Sequence, residues 1–92
     1  MSLLDACKDG LRIMRDNTTL DGVIGQKIAT VKGFMTNAGV SQAKLDSELG
    51  TGTIVMGVID IFGIESGQIK FSTVFHMFVT QLALKSNDAE GG

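Results

Sequence analysis

Apolar positions recur at helical spacing through the first half of the chain. From Leu20 they continue as Ile24, Ile28, Val31, Met35 and Ala38, steps of three and four that align on one side of a 3.6-residue helix, while Gln26, Lys27, Thr30 and Asn37 fall elsewhere. Thr18 and Asp21 have the spacing of a capping box that would open this helix, and Gly39 stands where a left-handed residue would close it. Gly22, Gly25 and Gly33 lie within it. Each weakens helix propensity by about 1 kcal/mol relative to alanine, and they are expected to admit another helix at close range.

The same reading predicts the other elements. Ser2 and Asp5 form a second capping box opening a helix to Asp9, with Leu4, Cys7 and Leu11 near one stripe and Gly10 as its stop. Leu11 to Asn17 reads as a linker anchored by Leu11 and Ile13. Ser41 caps a short helix over Gln42–Glu48, with Val40 and Leu45 at the positions of a hydrophobic staple, and Leu49-Gly50-Thr51-Gly52 reads as a break. In the segment Thr53–Ile64, the residues Ile54, Val55, Val58, Ile59 and Ile61 favour strand by propensity. Its length and lack of alternation favour a helix buried on most sides, which is the preferred reading. The strand alternative pairs Ile61–Ile64 with Ile69–Phe71 across a Glu65–Gln68 turn.

Ser72 caps the last helix, whose Phe75, Phe78, Val79 and Leu82 make a core stripe while Val74, Met77 and Leu84 widen the apolar surface. Ser86 to Gly92 is polar and is expected to be a flexible tail. The fold expected is all-α: a small bundle of four to five helices in one domain over residues 1–85, with the short hairpin near 61–71 as the alternative.

Composition sharpens this picture. A chain of 92 residues that is 43% hydrophobic has apolar side chains to spare for a tight core or for a surface that a partner covers. The net charge of -2 and the lack of any Lys/Arg cluster argue against a dedicated nucleic-acid binder. Cys7 is the only cysteine, so it reads as a small buried apolar residue in a reducing compartment, not as part of a disulfide or zinc framework. Met1-Ser2-Leu3-Leu4-Asp5 has no basic leader, and the longest apolar stretch contains Asp60 and is too short to span a bilayer, so a soluble chain is expected.

The search for chemistry finds little. His76, the only histidine, lies between Phe75 and Met77 and reads as a helix-surface or interface residue. Nothing local supports a Cys7–His76 nucleophile pair. Asp60, inside the most apolar stretch, must face solvent, cap a neighbouring helix, pair with an arginine such as Arg12, or meet another subunit. Gly50 and Gly52 are not followed by Gly-Lys-Ser/Thr, and no calcium loop or zinc spacing occurs. No catalytic, cofactor-binding or metal-ligating residue is expected, and the chain reads as a non-enzyme. Ala38-Gly39-Val40-Ser41 is similar to the turn of a helix-turn-helix DNA reader, which would make Gln42–Leu49 the recognition helix. Asp46 and Glu48 there would repel phosphates. A small DNA-binding regulator is therefore the second reading.

The C-terminal half carries a resemblance. Ile54-Val55-Met56-Gly57-Val58-Ile59-Asp60-Ile61-Phe62, then Ser66-Gly67-Gln68-Ile69-Lys70-Phe71-Ser72, then Val79-Thr80-Gln81-Leu82-Ala83 are similar to the head-tail connector (adaptor, or head completion) family of Gram-positive phages and prophages. Leu11-Arg12-Ile13 and Phe34-Met35-Thr36-Asn37-Ala38-Gly39-Val40-Ser41 extend the likeness over most of residues 10–85. The chain departs from the family at Phe62-Gly63, often an aromatic-Asn pair, and at Thr73, often Pro. The resemblance implies a compact helical subunit of the virion neck, made in the host cytoplasm and assembled as a ring, typically of twelve copies. The ring would sit between the portal protein and the next neck or tail component, with DNA passing through without sequence-specific contact. A ring subunit needs two different, complementary side faces.

Overall fold

Serine hydroxyls open four of the helices. In the computed structural model, Ser2 accepts the backbone N–H of Asp5 at 3.0 Å, Ser41 that of Lys44 at 3.3 Å, Ser47 that of Gly50 at 3.0 Å and Ser72 that of Phe75 at 3.2 Å. Each bond satisfies a donor that the first turn leaves without an intrahelical acceptor. The structure describes residues 2–62 and 70–91, with side chains as far as Lys85. These form α1 (Leu3–Leu11), α2 (Asp21–Asn37), α3 (Gln42–Leu45), α4 (Glu48–Ile61) and α5 (Thr73–Gly91), with no strand among the described residues. The all-α bundle expected from the sequence is what the chain forms.

α4 is the central element, and α1, α2, α3 and α5 all pack on it. Its apolar run was ambiguous because a broad buried face, Thr53, Ile54, Gly57, Val58 and Ile61, is joined by further apolar residues, Val55 and Ile59, against which Gly10 of α1 rests. Gly57 is where two neighbours close in. A β-carbon there would stand 2.6 Å from Phe75 Cε1 and 2.8 Å from Val31 Cγ1, so α2 and α5 seat their core side chains directly against the α4 backbone. Cys7, Ile24, Val31, Met35, Val40, Leu45, Phe75, Val79 and Leu82 complete the buried cluster.

Several expected boundaries shift, each for a physical reason. α1 runs through Gly10 to Leu11, and its left-handed cap falls on Arg12 at φ 60°. Gly10 serves closeness to α4, since a β-carbon there would stand 2.9 Å from Ile59 Cδ1 and 3.1 Å from Val55 Cγ1. The Thr18–Asp21 capping box does not form. Leu20 is the N-cap of α2, with no side-chain bond, and the Asp21 carboxylate turns to Lys8 instead.

The expected break at Leu49–Gly52 lies inside α4. α3 stops after one turn at Leu45, and Ser47 restarts the helix by donating to the Lys44 carbonyl at 2.6 Å while it accepts from Gly50. A β-carbon at Gly50 would collide with the carbonyl oxygen of Lys44 and stand 2.7 Å from that of Leu45. Glycine there permits a tight junction and does not stop the helix.

Other expectations hold. Gly39, at φ 101°, closes α2 in a Schellman arrangement, with Val40 N–H donating to the Met35 carbonyl and Gly39 N–H to that of Thr36, both at 3.0 Å. Val40 and Leu45 are both buried, as a staple requires. Leu11 and Ile13 pack on the core. The Glu65–Gln68 turn of the hairpin alternative lies outside the described residues, and Ile61, its first strand residue, is the last residue of α4. The α5 backbone continues over 86–91, where a tail is expected.

Candidate functional site

α5 has two faces of opposite character. Phe75, Val79 and Leu82 are buried in the core. Val74, Met77 and Leu84 point the other way and remain 50%, 57% and 59% exposed. Between Phe71 and Leu84 the sequence contains no Asp, Glu, Lys or Arg, so this stretch of the helix carries no carboxylate, ammonium or guanidinium group. Thr73, His76, Met77, Thr80 and Gln81 line a shallow, open depression on it. Its exposed apolar side chains are interspersed with the uncharged polar ones of Thr73, Thr80 and Gln81. Among the described residues, the other large exposed apolar side chains lie apart from one another in sequence, Met14 in the loop after α1, Val23 on α2 and Ile59 on α4.

An aromatic group holds the base of this face. Phe71 stacks on Phe75 at 4.3 Å between ring centroids, and Phe34 from α2 tilts against Phe71 at 4.9 Å and Phe75 at 5.8 Å. His76 meets Phe34 edge-on at 5.7 Å. The imidazole is therefore an exposed ring on the margin of an aromatic cluster, consistent with the surface role read for it.

The residues considered for chemistry have separate surroundings. Cys7 is fully buried in the core, where loss of solvation pushes its thiol up to about 11. Asp60, at the end of α4, accepts the backbone N–H of Ser72 at 3.1 Å through Oδ2. In a capping box the third helical residue would bind that N–H; here the third residue is Phe75, and Asp60 supplies the missing carboxylate from another helix. Of the alternatives open for Asp60 in the sequence, capping a neighbouring helix is the one this bond makes. Among the described residues no group of three or more His, Cys, Asp and Glu converges at metal-binding distance. No helix among them is long and apolar enough to cross a membrane.

One charged feature escaped the sequence reading. Lys8 is 1% exposed, its ammonium donates to the Arg15 carbonyl at 3.0 Å, and it pairs with Asp21 Oδ1 at 2.5 Å. The pair ties the end of α1, the Arg12–Leu20 loop and the start of α2 together. Lys8 falls at i+4 from Leu4 and i+1 from Cys7, on the apolar stripe itself, and that position was the available signal. Outside this knot, Asp9 and Arg15 form a forked surface pair, with Nε–Oδ1 at 3.1 Å and Nη2–Oδ2 at 2.6 Å. The Arg15 hydrogen bonds hold the Asp9 carboxyl below its usual range, and Asp9 raises Arg15 in turn.

A second unusual face lies on α2. Gly22, Gly25, Ala29 and Gly33 are spaced three, four and four apart and lie opposite Ile24, Val31 and Met35, so they form an exposed stripe of minimal side chains. No atom of the described residues comes within 4 Å of where a β-carbon would sit on any of the three glycines. The close helix contact expected at these glycines is thus not made among the described residues. The α2–turn–α3 segment, in turn, offers a second helix of only four residues where a DNA-recognition helix over Gln42–Leu49 was considered.

No family model, curated protein or solved structure matches this chain.

Proposed function

We propose that this chain is a structural subunit that works through protein–protein contacts, a head-tail connector of a tailed bacteriophage. It would assemble in the host cytoplasm as a ring, of twelve copies by the family resemblance, and take its place in the neck of the virion between portal and tail. The observation that carries the reading is the outer face of α5, where Val74, Met77 and Leu84 stay more than half open or close to it on a helix whose opposite side is fully in the core. A short chain that spends large apolar side chains on its surface gains from them only when a partner covers them. The sequence likeness over residues 10–85 selects the connector family from among proteins that assemble this way. The chain's net charge of -2 suits a conduit, because a strongly basic lumen would hold the DNA that must slide through it.

The reading makes the chain a non-enzyme with no cofactor. The rival reading, a helix-turn-helix regulator, would have to read a major groove with the single turn of α3, which ends at Leu45. Negative-stain electron microscopy of the purified chain mixed with its portal separates the two. The connector reading expects an added ring coaxial with the portal and no retention of duplex DNA at moderate salt. A bare portal together with salt-sensitive duplex binding would overturn it.

A further inference from the structure

We propose that the run from Met14 to Val23 is a strap that opens as a unit while the helical core stays folded, and that Lys8 is the latch that holds it closed. The device is independent of what the chain assembles into.

The strap has little of its own to hold it down. None of its side chains is buried, and Leu20 is the one that packs on the core. Its hydrogen bonds are short-range: Asn17 N–H donates to the Met14 carbonyl at 3.0 Å, Thr19 N–H to Asn17 Oδ1 at 3.1 Å and Asp21 N–H to the Thr18 carbonyl at 3.2 Å. Single turns of this kind do not persist in water by themselves. Its last part, the first turn of α2, starts at Leu20 with no side-chain cap, and Gly22 there has open space around it. On either side the chain is anchored. α1 lies against α4, Ile13 packs on the core, and Ile24 is fully buried. The strap therefore runs between two fixed points, and local stability falls where buried apolar contacts are few.

Three polar ties join it to α1. The Asp9–Arg15 fork is about half exposed at both ends and contributes little. The other two come from Lys8, 1% exposed, to the Arg15 carbonyl and to Asp21. Burying an ammonium costs its hydration, and these two partners offset that cost only while the strap is down. Lys8 lies in the last turn of α1. When the strap lifts, its four-carbon stem can carry the charge into water, beside the carbonyl end of the helix. Opening thus leaves no ion stranded, and the apolar cluster on α4 is untouched by it.

Amide hydrogen exchange of the full-length chain, followed by NMR, tests the device. The reporters are Asn17 N–H and Ile24 N–H, which donates to the Leu20 carbonyl at 2.9 Å, against Val58 N–H inside α4. In the native chain, low urea should raise exchange at Asn17 and Ile24 with a shallow slope and at Val58 with a steep one, because little surface is exposed when only the strap opens. Asp21→Ala should speed exchange at Asn17 and Ile24 by about a hundredfold, and Lys8→Met by severalfold. Val79→Ala should speed Val58 by about tenfold or more and leave Asn17 and Ile24 unchanged, since the core is intact in the open state. If Asp21→Ala fails to fold, Lys8→Met stands in for it; if Val79→Ala fails, the urea slopes decide. A common urea slope for all three amides overturns the strap, as does exchange at Asn17 and Ile24 at the rate of an unstructured peptide. Exchange there that ignores both latch variants overturns the role of Lys8.

Discussion

Lys8 and Asp21 meet at 2.5 Å, yet they are buried very unequally, with the lysine side chain 1% exposed and the aspartate 31%. The asymmetry decides what each substitution costs. Removing Asp21 strands a buried ammonium with only the Arg15 carbonyl beside it, whereas removing the Lys8 charge leaves a carboxylate that is partly exposed although its Oδ1 is buried. Asp21→Ala should therefore destabilise the fold by about 3 kcal/mol, and Lys8→Met, which keeps the apolar stem, by about 1 kcal/mol or less. Urea denaturation of both variants checks the order, and equal losses would refute it.

Asp60 should behave as a remote cap. Asp60→Ala removes the acceptor of the Ser72 N–H and should cost about 1 kcal/mol, with faster amide exchange confined to the first turn of α5. Asp60→Asn keeps a side-chain oxygen in place and should lose less than half of that. Exchange measured by NMR at Ser72 distinguishes the two.

Glycines on α4 and α2 should respond to alanine with opposite signs. At Gly57 the new methyl would press on Val31 and Phe75, so Gly57→Ala should destabilise by about 1–3 kcal/mol, and Val31→Ala in the same chain should recover part of the loss. At Gly25 nothing lies within 4 Å, and Gly25→Ala should stabilise the isolated chain by about 0.5–1 kcal/mol. Thermal melts of dilute protein read both.

Alkaline pH should loosen the fold through Cys7. Its thiol ionises at about 11 when folded, against an ordinary value of 9.0, so between these values the unfolded chain binds fewer protons than the native one. Stability is therefore full below about pH 9 and falls as pH rises toward 11, by roughly 2–3 kcal/mol in all. Cys7→Ala should flatten that part of the pH profile, whatever it costs in packing at neutral pH.

Much of the fold was legible because its signals are local. The Ser2, Ser41 and Ser72 caps, the Gly39 closure and the stripes of α2 and α5 depend on residues a few positions apart. What escaped depends on residues brought together only by folding. Gly10 and Gly50 read as punctuation because the sequence does not reveal that α1 and α3 press on α4 at those points. Asp21 read as half of a capping box until the buried Lys8 claimed it. The outer face of α5 was visible as a surplus of apolar positions, Val74, Met77 and Leu84, beyond what one core stripe needs. The α2 stripe was half seen: its glycines suggested a close neighbour, but none of the described residues supplies one.

The place of α4 has a consequence for how the protein is made. The helix on which every other described helix rests follows α1, α2 and α3 in the order of synthesis, and its last residue is Ile61. A nascent chain carrying only α1 to α3 has inner faces but no shared surface to lay them on. Stable tertiary structure therefore waits until the central helix clears the ribosome, and a fragment ending before Glu48 should remain unfolded.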